Sequence, residues 1–63
     1  MNTAILQVLE RACDNGARSN INLAEASLQK QQPIDAQHFI GKATAYQEIA
    51  KMLAGIIIDL KNA

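Results

Sequence analysis

The sequence predicts an all-α protein: two long antiparallel helices forming a helical hairpin, which associates into a four-helix bundle or higher oligomer. Three observations carry that prediction. Polar residues recur at Gln7, Arg11, Asp14, Arg18, Asn22, Glu25 and Gln29, in steps of three and four, which is the solvent stripe of one unbroken helix. Apolar residues recur at Phe39, Ala43, Tyr46, Ala50, Leu53, Ile57 and Leu60 in a strict seven-residue repeat, the pattern of a left-handed coiled-coil seam. Between the two patterns stands Pro33, the one proline of the chain.

The first helix is expected over residues 3–31. Opposite its polar stripe lie two apolar seams: Leu6, Leu9, Cys13, Ala17, Ile21, Ala24 and Leu28, and beside them Ile5, Val8, Ala12, Gly16, Ser19, Leu23 and Ala26. A helix with two such seams needs more than one neighbour. Asp14-Asn15-Gly16 is a turn signal in isolation. A break there would shift the phase of the stripe, and the phase is kept, so a continuous helix with a kink at Gly16 is expected.

The turn is expected over residues 32–35. Proline disfavours helical geometry in the residue before it and donates no backbone hydrogen bond. Asp35 is then a candidate N-cap, which would pair Ile34 with Phe39 as a hydrophobic staple. The second helix is expected over residues 36–62, so that each helix is roughly 40 Å long at about 1.5 Å per residue. A short connection folds two such helices back antiparallel. The whole chain, 1–63, reads as one helical-hairpin domain.

A hairpin this small needs further support. At 63 residues, a domain buries only about 60% of its unfolded surface and is marginal unless stapled, metal-bound or oligomeric. Cys13 is the lone cysteine and His38 the lone histidine, so neither a disulfide nor a zinc site is available. The C-terminal half of the second helix is apolar around most of its circumference. Gly55 and Ile58 stand where charges are expected, with Ile56 and Ile57 beside them. Gly41 and Gly55 are either tolerated small residues or points where another helix crosses close. The expected self-association surface is therefore Phe39, Gly41, Tyr46, Leu53, Gly55, Ile56, Ile57 and Ile58.

Function classes narrow by elimination. Cys13 sits on an apolar seam as a small hydrophobe, at a different height from His38, so the two do not form a nucleophile–base pair. The stretch 14–25 has calcium-loop length, but Gly16, Arg18 and Ser19 occupy the positions that need ligands and glycine. With no phosphate loop or paired carboxylates, an enzyme, a cofactor or a small-molecule substrate is not expected. Six basic and six acidic residues give a formal net charge of zero, which argues against coating nucleic acid or an acidic membrane. Arg11, Arg18, Lys42 and Lys51, with His38, form the candidate partner or nucleic-acid face, interrupted by Asp14, Glu25 and Glu48. The exposed Asn and Gln residues, among them Asn15, Asn20, Asn22, Gln29 and Gln47, are cheaper to desolvate than charges and favour a protein partner beside self-association. The apolar run 49–58 is about half the ~20 residues needed to cross a bilayer, and the start of the chain lacks signal-peptide character. A soluble cytoplasmic protein is expected.

The segment Gly41-Lys42-Ala43-Thr44-Ala45-Tyr46-Gln47-Glu48-Ile49 resembles a helical stretch of small phage-encoded proteins of helical-hairpin type. The overall plan is similar to the Rop-like hairpin dimers, although the basic RNA-binding face of that group is not matched. The resemblance implies an accessory product, acting in the host cytoplasm, that binds a host or phage protein or joins a small assembly. It carries over no functional residue.

Overall fold

The computed structural model of the protein describes residues 3–62, so the extreme ends of the 1–63 domain lie outside the described residues. Two helices make up the fold: α1, Ala4–Gln29, and α2, Pro33–Asn62. They pack against each other as an antiparallel hairpin measuring 49 × 14 × 10 Å. The molecule is a rod one helix thick, with no second layer to cover either broad face.

Helix α1 runs without interruption through Asp14-Asn15-Gly16. The amide Nδ2 of Asn20 donates to the Gly16 carbonyl at 2.8 Å, so a side chain of the following turn braces the position where a break was conceivable. Of the expected solvent stripe, Arg11, Asp14, Arg18, Asn22, Glu25 and Gln29 are exposed, and Gln7 is half-buried.

The connection is shorter than expected, and both helix ends shift. Helix α1 closes at Gln29 rather than 31, and α2 opens at Pro33 rather than 36, leaving residues 30–32 between them. Gln31 adopts φ 59°, in the left-handed region. Its N–H donates to the Leu28 carbonyl at 3.0 Å, and the Gln32 N–H donates to the Ser27 carbonyl at 2.8 Å. This pair of bonds is a Schellman cap, here built on glutamine instead of the usual glycine. The Gln32 carbonyl then accepts from the Ala36 N–H at 3.1 Å, the first bond of α2. Gln32 therefore ends one helix and begins the next. Pro33 occupies the first helical position, where a missing N–H costs nothing.

The N-cap is thus Gln32, not Asp35. Asp35 lies in the first turn of α2, where its carboxylate faces the positive end of the helix dipole. The expected staple is not formed, because Ile34 is 81% exposed.

The core is a stripe of small residues. On α2 the buried positions are Ala36, Ala43, Ala50 and Ile57, spaced by seven, with Phe39, Leu53 and Leu60 half-buried between them. This is the seven-residue seam read from the sequence. On α1 the buried residues are Ala17, Ala24 and Ser27, preceded by the buried Thr3 at its N-cap, with Leu6, Glu10, Cys13 and Asn20 half-buried along the same stripe. Together these follow the same three–four spacing. Only part of the first expected seam faces inward, because Leu9, Ile21 and Leu28 are exposed. Threonine, glutamate, asparagine and serine take inward places that were not expected of them.

Alanines at the contact let two helices approach closely, since the side chains there set the interaxial distance. Gly16 extends the approach. A Cβ built on it would lie 2.9 Å from Cζ of Tyr46, so the tyrosine ring rests directly on the glycine backbone. Gly16 is a landing site for Tyr46 within a helix that continues through it. Gly41 and Gly55, in contrast, face open space, so α1 does not cross close to either.

Candidate self-association face

The alanine seam leaves the larger apolar side chains outside. Among the described residues, thirteen large hydrophobics are exposed, and no large side chain is fully buried. Ile5 is 74% exposed, Met52 67% and Val8 62%, while Leu9, Leu23 and Ile49 each stand at 47%. Burying one such side chain stabilises a protein by about 1.5–3 kcal/mol, and here the fold leaves most of that gain unrealised.

The repeat sets where these side chains lie. Let the inward residues occupy positions a and d of each seven, with Thr3, Glu10, Ala17 and Ala24 at a on α1 and Ala36, Ala43, Ala50 and Ile57 at a on α2. Position g then points about 90° from the inward direction, at about 100° per residue, with c beside it. In an antiparallel pair the g positions of both helices share one side and the e positions the other. The two grooves of the hairpin follow this division. One, of about 350 Å³, is lined by Asn20, Lys42, Ala45, Tyr46 and Ile49. The other, of about 190 Å³, is lined by Asp14, Ala17, Arg18, Ile21 and Gln47.

The g and c positions make an apolar face. On α1 they are Ile5, Leu9, Ala12, Gly16, Ser19, Leu23 and Ala26, which is apolar or small along the whole helix. On α2, Ala45, Ile49, Met52 and Ile56 continue the face away from the turn. Its polar members on α2 sit near the two ends: Asp35, His38 and Lys42 toward the turn, Asp59 toward the other end. Lys42 Nζ lies 5.9 Å from the centre of the Phe39 ring, and that ring is tilted against His38 at the same centroid distance of 5.9 Å. The opposite face, at e and b, carries Arg11, Asp14, Arg18, Glu25, Gln47, Lys51 and Lys61, with Ile21, Leu28, Ile40 and Ile58 among them.

The expected self-association residues are thereby sorted into three groups. Ile57 is buried between α1 and α2, with Phe39 and Leu53 half-buried beside the same seam. Ile56, and the exposed edge of Tyr46, face the broad apolar side. Gly41 and Gly55 point away from it at position f, and Ile58 lies on the polar side. The exposed residues Leu9, Leu23, Ile49 and Met52 belong to the apolar face and were not among those singled out. Part of the sequence signal was present in the second seam of the first helix, whose members Ile5, Gly16 and Leu23 fall together with Leu9 of the first seam once the inward direction is known.

Of the four candidate cations, Arg11, Arg18 and Lys51 fall on one side of the hairpin and Lys42 on the other. Arg18 lines one groove, and Lys42 lines the opposite groove with Ile49. Asp14 lies in the groove with Arg18. Cys13 is half-buried in the seam and unpaired. Among the described residues no group of three or more His, Cys, Asp or Glu is placed to hold a metal ion, and no helix is long and apolar enough to cross a membrane.

Fold and surface define a class: an antiparallel two-helix hairpin with an alanine interior and one broad apolar face. Comparison with protein-family models, with curated proteins and with solved structures finds no match to this chain.

Proposed function

We propose that this protein is a non-enzymatic interaction module of the cytoplasm, a hairpin that works as a homo-oligomer and holds a further protein on its remaining surface. One observation carries the reading: the large apolar side chains lie outside an interior of alanine. Exposed apolar patches of this extent mark interaction surfaces on soluble proteins. The mixed e and b face, which carries Gln7, Gln37 and Gln47 among charges of both signs, remains available for the second protein. A small phage accessory protein, as the resemblance of residues 41–49 implies, would work in this way.

Size exclusion coupled to light scattering tests the reading at micromolar concentration. The expected mass is at least twice that of the 6.8 kDa chain. A well-folded monomer overturns self-association. Binding to RNA or DNA that weakens steeply with salt, and again when Arg11 and Arg18 become Gln, would instead support a nucleic-acid regulator.

A further inference from the structure

We propose that Asn15-Gly16 is a latent self-modification site, at which Asn15 converts to aspartyl and isoaspartyl forms only when α1 opens, and that Tyr46 is the latch that keeps it closed. Water is the only co-reactant. Every group involved lies on one copy of the chain, so association is not required.

The chemistry follows from the dipeptide. An asparagine side chain is attacked most readily by the backbone nitrogen of the next residue when that residue is glycine, which puts no side chain in the way. The Gly16 nitrogen gives its proton to solvent and bonds to Cγ of Asn15. The Cγ–Nδ2 bond breaks, and the amide group leaves as ammonia with a proton from solvent. The resulting succinimide then takes up water. Cleavage at Cγ gives aspartate in an ordinary backbone. Cleavage at the backbone carbonyl carbon of Asn15 instead routes the chain through the side chain, as isoaspartate. The other asparagines precede Thr3, Ile21, Leu23 and Ala63, so Asn15 is the one site of this kind in the chain.

The structure leaves the site accessible yet inactive. Asn15 is exposed, and its side-chain amide makes no hydrogen bond among the described residues. The Gly16 nitrogen, in contrast, is committed. Inside an unbroken α-helix its N–H donates to the Ala12 carbonyl, and the helical backbone at Asn15 holds the nitrogen away from Cγ. Ring closure therefore requires this turn to open. Two side chains oppose opening at Gly16 itself. Asn20 Nδ2 donates to its carbonyl at 2.8 Å. The Tyr46 ring lies so close that a Cβ on Gly16 would come within 3.0 Å of three ring atoms. Asn20 and Tyr46 line one groove, so both clamps act from the same side of the hairpin. Gly41 and Gly55 follow Ile40 and Ala54 and face open space, so neither the reactive pair nor the clamp recurs there.

An opened chain is thereby marked. Isoaspartate adds a methylene to the backbone in the middle of α1. That interrupts the hydrogen-bond ladder and puts Ala17, Ala24 and Ser27 out of step with the alanines of α2. Both products also add a negative charge beside Asp14. A chain that stays closed keeps Asn15, and one that spends time open loses it.

Peptide mapping by mass spectrometry, with an isoaspartyl methyltransferase assay, follows the conversion in mildly alkaline buffer. In the native chain it is expected to be slower than in denaturing urea by about tenfold or more, the effect of an opening that costs about 1.4 kcal/mol. Equal rates overturn the gating. Tyr46→Phe, which keeps the ring, is expected to hold the native rate. Tyr46→Ala is expected to raise it several-fold while circular dichroism still shows a helical hairpin. A helical Tyr46→Ala chain that converts no faster overturns the latch. Should Tyr46→Ala fail to fold, Tyr46→Leu takes its place, with the same two outcomes. In urea, Gly16→Ala is expected to slow conversion several-fold, and an unchanged rate overturns attack by the Gly16 nitrogen.

Discussion

Gly16 shows how one residue serves two demands that seem opposed. Glycine in mid-helix costs about 1 kcal/mol relative to alanine, yet here its missing side chain is the space that the Tyr46 ring occupies. A methyl group at this position must displace the ring, so the gain in helix propensity and the loss of contact oppose each other. Gly16→Ala should therefore stabilise by about 1 kcal/mol in a Tyr46→Ala background and by clearly less in the parent chain. Denaturant melts of the four proteins measure this coupling, and equal effects in both backgrounds contradict it. Gly41 and Gly55 face open space and point away from the apolar face, so Gly41→Ala and Gly55→Ala should each stabilise by about 1 kcal/mol without changing the oligomeric state. Nothing in the sequence separates Gly16 from Gly41 and Gly55, because a glycine's role depends on what lies across from it. That information belongs to the register of the other helix. Ile57 and Ile56 differ in the same way. Ile57→Glu places an unpaired charge between α1 and α2 and should unfold the hairpin, at a cost of several kcal/mol.

At the scale of the elements, the turn is the most economical part of the molecule. Gln32 closes α1 and opens α2, Pro33 fills the first helical position, and Asp35 meets the dipole one turn in. The one costly feature is Gln31 in the left-handed region, a conformation that glycine takes readily and other L-residues take at a cost of about 1–2 kcal/mol. Gln31→Gly should stabilise the protein, by on the order of 1 kcal/mol less the greater chain entropy that glycine brings to the unfolded state. A thermal melt with no rise, or a fall, contradicts the capping account. The proline marked this turn in the sequence, but its position within it was legible only in part. Pro33 and Asp35 suit two registers, a cap at Asp35 or a proline at the first helical position, and the left-handed residue decides for the second. The seam of α2 was legible because its repeat is apolar at every step. That of α1 was not, because Thr3, Glu10, Asn20 and Ser27 look like surface residues until an alanine-lined partner draws them inward.

The whole molecule is a single layer, and on the proposed reading its stability depends on gaining a second. Its interior is mainly alanine, most of its large aliphatic side chains are outside, and its surface exceeds that of a compact chain of equal mass. The sequence announced the need for association through its length, its lack of staples and its excess of apolar seams. It did not locate the face, because which seam closes the hairpin and which is left over is settled by the alanines. Charges placed on the leftover face should separate the assembly without touching the alanine seam. Ile49→Glu combined with Ile56→Glu is expected to abolish the oligomer and to lower the melting temperature toward that of an isolated hairpin, and an unchanged mass contradicts the assignment. The most direct test needs no variant. Light scattering and thermal melting of the unmodified chain across a hundredfold range of concentration should give a mass of twice 6.8 kDa and a melting temperature that rises with concentration, as mass action requires of a fold completed by its partner. A 6.8 kDa species with a melting temperature independent of concentration would contradict the account.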